Sequence, residues 1–271
     1  MIVSTPNTFF EKVAQRQRDL NTLLCVGLDP DVSKIPHRYH DVDSPILAFC
    51  LDVIDATHDL VSAFKPQFAH FAAAHALAEL EEIITHCRAK SVPVILDAKR
   101  GDVGSTSDFY AREAFDVYGA DAVTVNPYLG GDSLEPFLER TDKGVILLCR
   151  TSNAGGADLQ NLKLTNGREL YEQVAHLAAN QWNAGANVGL VVGATRPAEL
   201  ARVREITVDM TFLLPGIGAQ GGDIAASLSA GQGGGLIISS SRAVLYPESG
   251  KKEAVRAAAV ATRDQINQFR R

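Results

Sequence analysis

Eight short apolar segments rich in β-branched residues recur along the chain, and this repetition limits the possible folds more than any other feature of the sequence. The segments are residues 23–28, 60–64, 93–96, 122–125, 144–149, 188–192, 211–214 and 236–238. The sequence between them has helical periodicity, as in residues 70–90, where one apolar stripe contains Leu77, Leu80, Ile83, Ile84 and Cys87. Buried strands that alternate with helices require a parallel sheet covered on both faces, because parallel neighbours need crossover connections. Eight such units predict a closed (β/α)8 barrel.

An open, doubly wound sheet is the alternative fold. Gly216, Gly218 and Gly221 match the glycine pattern of a dinucleotide-binding loop. However, the pattern lies in the seventh unit, and residues 239–242 stand where that fold needs an Asp or Glu for the ribose. The chain has 271 residues, and α/β barrels commonly contain about 250 residues in one domain. We therefore expect residues 1–271 to form one barrel domain, with a helix before the first strand.

Composition limits the partners. Thirty-two acidic residues against 26 Lys and Arg give a formal net charge of -6, which argues against nucleic acid or an anionic membrane as the main partner. No stretch approaches the ~18 apolar residues of a membrane span, and charged residues interrupt the N-terminal segment where a signal peptide would be apolar. We expect a cytoplasmic protein. The widely spaced Cys25, Cys50, Cys87 and Cys149 predict reduced core thiols rather than a zinc site or disulfides.

Reactive residues of a barrel lie at the carboxyl ends of its strands and in the loops that follow. The predicted strand ends carry several charged and polar residues, namely Asp29, Lys65, Asp97, Lys99, Asn126, Arg150, Ser152, Ser241 and Arg242. A single charged strand end is usually a solvated surface residue. So many charged ends are more than a structural rim requires, and they favour an active site.

The strongest single signal is the segment VILDAKRGD at residues 94–102. Asp97 and Lys99 are two positions apart on a strand and should share one face at the barrel mouth, whereas Asp102 follows Gly101 and should lie in the loop. A lysine ~4 Å from each of two carboxylates gains on the order of 4 kcal/mol per pair at an effective dielectric of ~20, so it should remain an ammonium. That charge opposes a Schiff-base lysine and a metal ion between the carboxylates, and favours a proton donor. A surface ion pair is the alternative interpretation.

The loops after the seventh and eighth strands form a second signal. Glycines in residues 216–222 let backbone N–H groups approach an anion, and Arg242 adds a bidentate donor. Barrels often bind phosphate at these two loops, although the glycines could serve only tight turns. Together the two signals predict a phosphorylated substrate whose far end meets Asp97, Lys99 and Asp102.

These residues resemble the orotidine 5'-phosphate decarboxylase family. The matching segments, in the family's order and on the expected strands, are GLDPD with Asp29, FKPQ with Lys65, DAKRGDVGSTS with Asp97, and PGIGAQGGD. The resemblance covers nearly the whole chain and is closest to the longer bacterial branch. It implies loss of CO2 from orotidine 5'-monophosphate to give UMP in pyrimidine biosynthesis, without a metal or organic cofactor.

The resemblance also implies roles for individual residues. Lys65, Asp97, Lys99 and Asp102 would form an alternating Lys-Asp-Lys-Asp array, with Asp102 and Thr106 donated across the interface of a homodimer. The substrate-binding residues would be Asp29 at the ribose hydroxyls, Ser152 at the pyrimidine edge, Gln220 between base and phosphate, and Ser241 with Arg242 at the phosphate. His70 and His75 lie on an apolar helix and are expected to be packing residues.

Two other functions are compatible with the same residues. A metal-dependent sugar-phosphate decarboxylase or aldolase of the same suprafamily also uses an Asp-x-Lys-x-x-Asp strand, and magnesium dependence would identify it. A catalytically silent barrel that only binds a nucleotide is the third possibility, which an assay of turnover decides. The presence of both Asp97 and Lys99 argues against it.

Overall fold

A computed structural model describes residues 8–216 and 223–270 of the chain. The strands in this part form one parallel sheet in the order β2-β1-β8-β7-β6-β5-β4-β3. Their bounds are β1 Leu24–Leu28, β2 Ala63–Pro66, β3 Ile95–Arg100, β4 Ala122–Val125, β5 Gly144–Arg150, β6 Val188–Val192, β7 Phe212–Pro215 and β8 Leu236–Ser240. Bridges from Phe64 to Val94 and from Gln67 to Asp97 join β2 to β3 and close the barrel. The predicted (β/α)8 barrel is confirmed, and the open sheet is wrong.

Helices surround the barrel between successive strands. The α-helices in the described residues are α1 Phe9–Asp19, α2 Pro45–Thr57, α3 Phe68–Ala73, α4 Leu77–Ala89, α5 Gly104–Arg112, α6 Gly131–Leu138, α7 Ala157–Gln160, α8 Leu170–Leu177, α9 Pro197–Thr207, α10 Ile224–Ala230, α11 Arg242–Leu245 and α12 Lys252–Asn267. Two of them continue into π-helical turns, at Glu113–Val117 after α5 and at Ala178–Trp182 after α8. Short 3-10 turns lie at His37–Tyr39, Pro127–Leu129 and Ala154–Gly156.

Helix α1 closes the amino-terminal end of the barrel. Thr8 and Glu11 cap its start reciprocally, each side chain bonding the other's backbone N–H. Phe9 and Val13 then pack among the inward-facing strand residues as part of the barrel interior. A Cβ at Gly144 would collide with the Phe9 ring, so glycine there allows this close approach. A larger apolar layer fills the space between the strands and the outer helices. In the described part of the chain this end of the barrel is therefore closed, and a ligand would enter at the carboxyl ends of the strands.

Several elements differ from their sequence-based prediction. β3 spans Ile95–Arg100 rather than residues 93–96. β2 spans Ala63–Pro66 rather than residues 60–64, so Lys65 lies inside the strand. The single helix predicted over residues 70–90 is two helices, α3 and α4, separated at His75, whose φ of 56° is incompatible with a continuous helix. Leu77 is partly exposed at the start of α4, while the rest of the predicted apolar stripe is buried.

The four cysteines are all buried and unpaired, as predicted for core thiols. Burial raises the pKa of Cys25 to about 12, although the Lys65 charge acts in the opposite direction. No helix in the described part of the chain is long and apolar enough to cross a membrane.

Candidate active site

A cavity of about 440 Å³ opens at the carboxyl ends of the strands. We call it the chamber. Of the site residues predicted from the sequence, it brings together Asp29, Lys65, Asp97, Lys99, Ser152, Ser241 and Arg242. Asp102 and Thr106 are not among its lining residues. Gln220 lies outside the described residues, as do Gly218 and Gly221 of the glycine pattern.

Asp97 is the centre of the polar contacts in the chamber. Its Oδ2 accepts from the Lys65 ammonium at 2.8 Å and from the Gln67 amide at 3.1 Å. Its Oδ1 accepts from the Lys99 ammonium at 2.6 Å and from the Thr124 hydroxyl at 2.9 Å. Four donors from β2, β3, β4 and the β2 loop thus saturate one carboxylate. Among the described residues there is no cluster of three or more His, Cys, Asp or Glu that could hold a metal ion.

The charges of this cluster stabilise one another. Burial alone would raise the pKa of Asp97, but the charges of Lys65 and Lys99 and their hydrogen bonds outweigh it and hold that pKa well below its usual range. Burial likewise opposes the charge of Lys65, and the carboxylates of Asp97 and Asp29 outweigh it and raise the Lys65 pKa. Asp97 is therefore an anion and Lys65 a cation at neutral pH, although their side chains are only 10% and 6% exposed.

Lys99 reaches Asp97 through an irregular backbone rather than through the simple alternation of a strand. The pairing of β3 with β4 shifts register between Leu96 and Arg100, and Lys99 has a left-handed φ of 48°. That conformation costs a non-glycine residue roughly 1–2 kcal/mol. The Lys99 backbone N–H donates to Thr124 Oγ1 at 3.0 Å. Thr124 therefore holds both the backbone of Lys99 and the carboxylate that Lys99 contacts.

Asp29 lies beside Lys65 at the end of β1, and its Oδ1 is buried without a hydrogen-bond partner among the described residues. Its main chain is fixed by Tyr246, whose hydroxyl donates to Asp29 O at 3.1 Å and accepts from the Asp31 N–H at 2.7 Å. An unsatisfied buried carboxylate oxygen is costly. Asp29 is thus suited to accept from a ligand hydroxyl.

Another wall of the chamber is lined by Gly216, directly after β7, by Ser241 in the loop after β8, and by Arg242 at the start of α11. A Cβ at Gly27 would overlap Ser241 Oγ, so glycine in β1 lets this loop pack against the strand. The Arg242 side chain is exposed and makes no hydrogen bond or ion pair within the described part of the chain. A guanidinium that faces a cavity without an internal partner can bind an anionic group.

Arg150 organises the loop that carries Ser152. It is fully buried at the end of β5, where it donates to Thr151 O and Gln160 Oε1 at 2.9 Å and to Asn161 Oδ1 at 3.1 Å. The segment after β5, which has no pattern in the sequence, therefore begins as an ordered turn. Ser152 faces the chamber from it.

Asp102 and Thr106 lie beyond β3 and do not complete the array within this chain. The Asp102 carboxylate accepts from the Val103 N–H at 2.8 Å and makes no other bond to the described residues. Thr106 is exposed on α5. The array of one chain is therefore Lys65, Asp97 and Lys99.

Sequence reasoning missed several residues of the chamber, among them Gln67, His70, Thr124 and Tyr246. Gln67 directly follows β2, and the strand-end rule could have found it. Thr124 is the one polar residue in the run AVTV. His70 was predicted to be a packing residue, but it lines the chamber, with Nδ1 2.9 Å from Pro30 O.

The fold and the site together define a (β/α)8-barrel enzyme whose chamber combines ionised acid–base groups with an unpartnered arginine. Comparison with known proteins identifies the family of this enzyme. The family model "Orotidine 5'-phosphate decarboxylase / HUMPS family" matches residues 22–258, and the chain belongs to this family. The family resemblance found in the sequence is confirmed.

Three similar proteins illustrate the match. The orotidine 5'-phosphate decarboxylase of Azoarcus sp. is 57% identical, over 96% of this chain and 97% of that protein. The structure of Leishmania donovani OMP decarboxylase has 42% identity and a TM-score of 0.85, covering 97% of this chain and 98% of that one. Leishmania donovani UMP synthase has 43% identity and a TM-score of 0.86 over 97% of this chain, which spans 56% of the UMP synthase chain.

Replacing Asp97 with Asn should lower the free energy of unfolding by about 3–5 kcal/mol, because the buried Lys65 ammonium loses its main counter-charge. Asp116→Asn is the matched control, because it breaks the bidentate pair between Asp116 and Arg140. These side chains are 50% and 36% exposed, so the loss should be less than about 1 kcal/mol. Urea unfolding measures both values.

The pH dependence of the stability that the Lys65–Asp97 pair contributes follows from the pKa directions of the two groups. The lowered pKa of Asp97 makes its contribution present above its ordinary value near 4, and lost only as the pH falls towards the folded value. The raised pKa of Lys65 makes its contribution present below about 10.5, and lost as the pH rises. The contribution of the pair to the free energy of unfolding of the wild type should thus be constant from about pH 5 to 9, which urea unfolding across that range measures. If Asp97→Asn lowers the free energy of unfolding no more than Asp116→Asn does, the buried-pair interpretation is wrong.

Proposed function

We propose that this chain catalyses the decarboxylation of orotidine 5'-monophosphate to UMP in pyrimidine biosynthesis, with Lys99 as the proton donor. Family membership and the names of the similar proteins, which are orotidine 5'-phosphate decarboxylases, support the reaction. The observation that carries the residue assignment is the ionised Asp97 between Lys65 and Lys99, in the chamber that also contains Arg242. The same proposal treats residues 1–271 as one barrel domain and places the enzyme in the cytoplasm.

The substrate would bind across the chamber. Arg242 and Ser241 would hold its phosphate, since Arg242 offers a fork of donors that no described residue uses. Asp29 would accept from ribose hydroxyls with its unsatisfied oxygen, beside Lys65. Ser152 would contact the pyrimidine edge. Gln220, proposed to bridge base and phosphate, lies outside the described residues.

The chemistry would take place between Asp97 and Lys99. With the phosphate and ribose anchored, the substrate carboxylate lies near the anionic Asp97, and like-charge proximity disfavours the bound ground state. The bond from C6 to the carboxylate carbon breaks, CO2 leaves, and the electron pair stays on C6. The Lys99 ammonium stabilises the developing negative charge and then transfers its proton to C6, which gives UMP. Binding energy from the distant phosphate can be used to reach the transition state.

We further propose a homodimer in which Asp102 and Thr106 enter the partner's site. An exposed apolar surface supports it: Val103, Phe109, Tyr128 and Leu129 are 57%, 64%, 74% and 44% exposed, on the segments that follow β3 and β4. Large exposed apolar patches are typical of protein interfaces. The Asp102 carboxylate lies on the same segment as Val103, so an interface there would carry it to a neighbouring chain.

The metal-dependent sugar-phosphate enzyme is the second candidate, since the matching family is named for both orotidine 5'-phosphate decarboxylase and HUMPS. Both Asp97 oxygens already accept two hydrogen bonds each, two of the four from ammonium groups. A cation would have to displace these donors before binding Asp97. The contacts therefore favour the metal-free decarboxylase.

The first test follows the loss of orotidine 5'-monophosphate absorbance with purified protein in excess EDTA. We expect full turnover in the chelator, because ammonium groups occupy the cation positions around Asp97. Lys99→Ala should abolish turnover but largely retain UMP binding, because the ammonium acts mainly on charge that develops after ground-state binding. Activity that EDTA removes and magnesium restores would favour the sugar-phosphate enzyme. Near-normal turnover by Lys99→Ala would refute its role as proton donor.

The second test concerns the phosphate site. Arg242→Ala should strongly weaken the use of orotidine 5'-monophosphate, but barely change turnover of orotidine, because the nucleoside lacks the group that the guanidinium binds. Steady-state kcat/KM for the two substrates gives the comparison. Equal losses for both would mean that Arg242 has a structural role.

The third test concerns the shared site. Lys99→Ala and Asp102→Ala proteins, each inactive alone, are mixed in equal amounts under conditions that allow subunit exchange. A two-fold interface makes the exchange of Asp102 reciprocal, so each heterodimer has one site lacking both groups and one intact site. Random exchange makes half of the dimers mixed, so about a quarter of wild-type sites should return. If heterodimers form and stay inactive, Asp102 acts within its own chain.

A further inference from the structure

We propose that Arg100, clamped by Glu113, is a positioning residue that holds Lys99 in its left-handed backbone conformation. The inference rests on the role proposed above for Lys99. Arg100 itself is not among the lining residues of the chamber, so its effect on the reaction would pass through the backbone it shares with Lys99.

Lys99 needs such support, because its backbone is at φ 48° directly beside the register shift in β3. A strained conformation persists only when the surrounding structure over-determines it. On one side of Lys99, Thr124 accepts from its N–H at 3.0 Å. On the other side, the Arg100 carbonyl accepts from the Asn126 N–H at 2.7 Å. Both bonds tie the irregular segment to β4.

The Arg100 side chain adds a further anchor to these two backbone bonds. Its Nε and Nη2 donate to the two Glu113 oxygens, both at 2.8 Å. Its guanidinium carbon also lies 4.1 Å from the ring centre of Phe68 and 4.8 Å from that of Tyr110. A planar fork paired with a carboxylate and packed on two rings has little freedom to rotate. The residue after Lys99 is therefore fixed in both position and direction.

Glu113 is placed for this contact by an irregular helix. It is the first residue of the π-helical turn Glu113–Val117 that follows α5, and π-turns inside helices often occur at functional sites. A lysine at position 100 could supply the charge, but it has neither the fork nor the planar group that stacks between rings. The geometry thus calls for arginine at this position.

The experiment compares Arg100→Met with Arg140→Met. Arg140 makes an equally forked pair, at 2.8 and 2.9 Å, with Asp116 on the same π-turn, so it controls for loss of a surface pair. We expect Arg100→Met to lower kcat by about ten- to a hundredfold, the effect of misplacing a reacting group by about 1 Å. The Kd for UMP should stay within about threefold. Arg140→Met should keep kcat within about twofold.

Two further variants and one structure complete the test. Arg100→Lys should have a kcat as low as that of Arg100→Met. Glu113→Gln, which keeps the side-chain shape, should lose part of the activity, and it replaces Arg100→Met in the test if that variant does not fold. A crystal structure of Arg100→Met should have residue 99 outside the left-handed region and a longer distance from Lys99 Nζ to Asp97 Oδ1.

The proposal is overturned if the folded variants keep wild-type kcat, or if kcat falls while the backbone at residue 99 and its contact with Asp97 are unchanged. If the wild-type protein does not decarboxylate orotidine 5'-monophosphate, the proposed function fails separately. The conformation of residue 99 in Arg100→Met then still decides whether the clamp exists.

Discussion

The rest of the site depends on one buried carboxylate, Asp97, held between two ammonium groups. Burial by itself would protonate an isolated Asp97 or neutralise an isolated Lys65, and each keeps the other charged. Because four donors fix the carboxylate, it cannot turn away when a second anion approaches. A substrate carboxylate in the chamber would therefore meet a negative charge that cannot relax, beside an ammonium positioned for the charge that develops later.

The barrel makes this arrangement possible from residues that are distant in the chain. Lys65 and Asp97 are 32 positions apart, and the β2–β3 closure places them side by side. A closed parallel sheet directs every carboxyl end to one face. Since α1 plugs the opposite end, that face is also the open one. The apolar layer between the strands and the surrounding helices fixes the strand positions and hence the distances between the charged groups.

The sequence predicted the parts of the site that follow from strand ends, and it failed where the backbone departs from a regular strand. Asp29 and Asp97 could be found because an apolar run stops beside each of them, and Arg242 because it follows the eighth run by four residues. Thr124 was missed because a polar residue inside such a run looks like part of the core. The position of Lys99 was predicted from strand alternation, although it depends on a register shift that no local pattern specifies. The proposed donation of Asp102 to a partner subunit depends on contacts between two chains, which no pattern within one sequence specifies.

Charge and exposure indicate why a single chain would be an incomplete enzyme. The charges of Lys65, Asp97 and Lys99 sum to one net positive charge. Lys65 is buried, whereas the side chain of Lys99 is 46% exposed to solvent. Water on that side weakens the field of the ammonium, because charges act more strongly when solvent is excluded. In the proposed dimer, Asp102 of the partner subunit would offset the excess charge and cover Lys99. The substrate carboxylate would then enter a neutral array of fixed charges, and when CO2 leaves, the negative charge would stay on C6 beside the Lys99 ammonium until the proton is transferred.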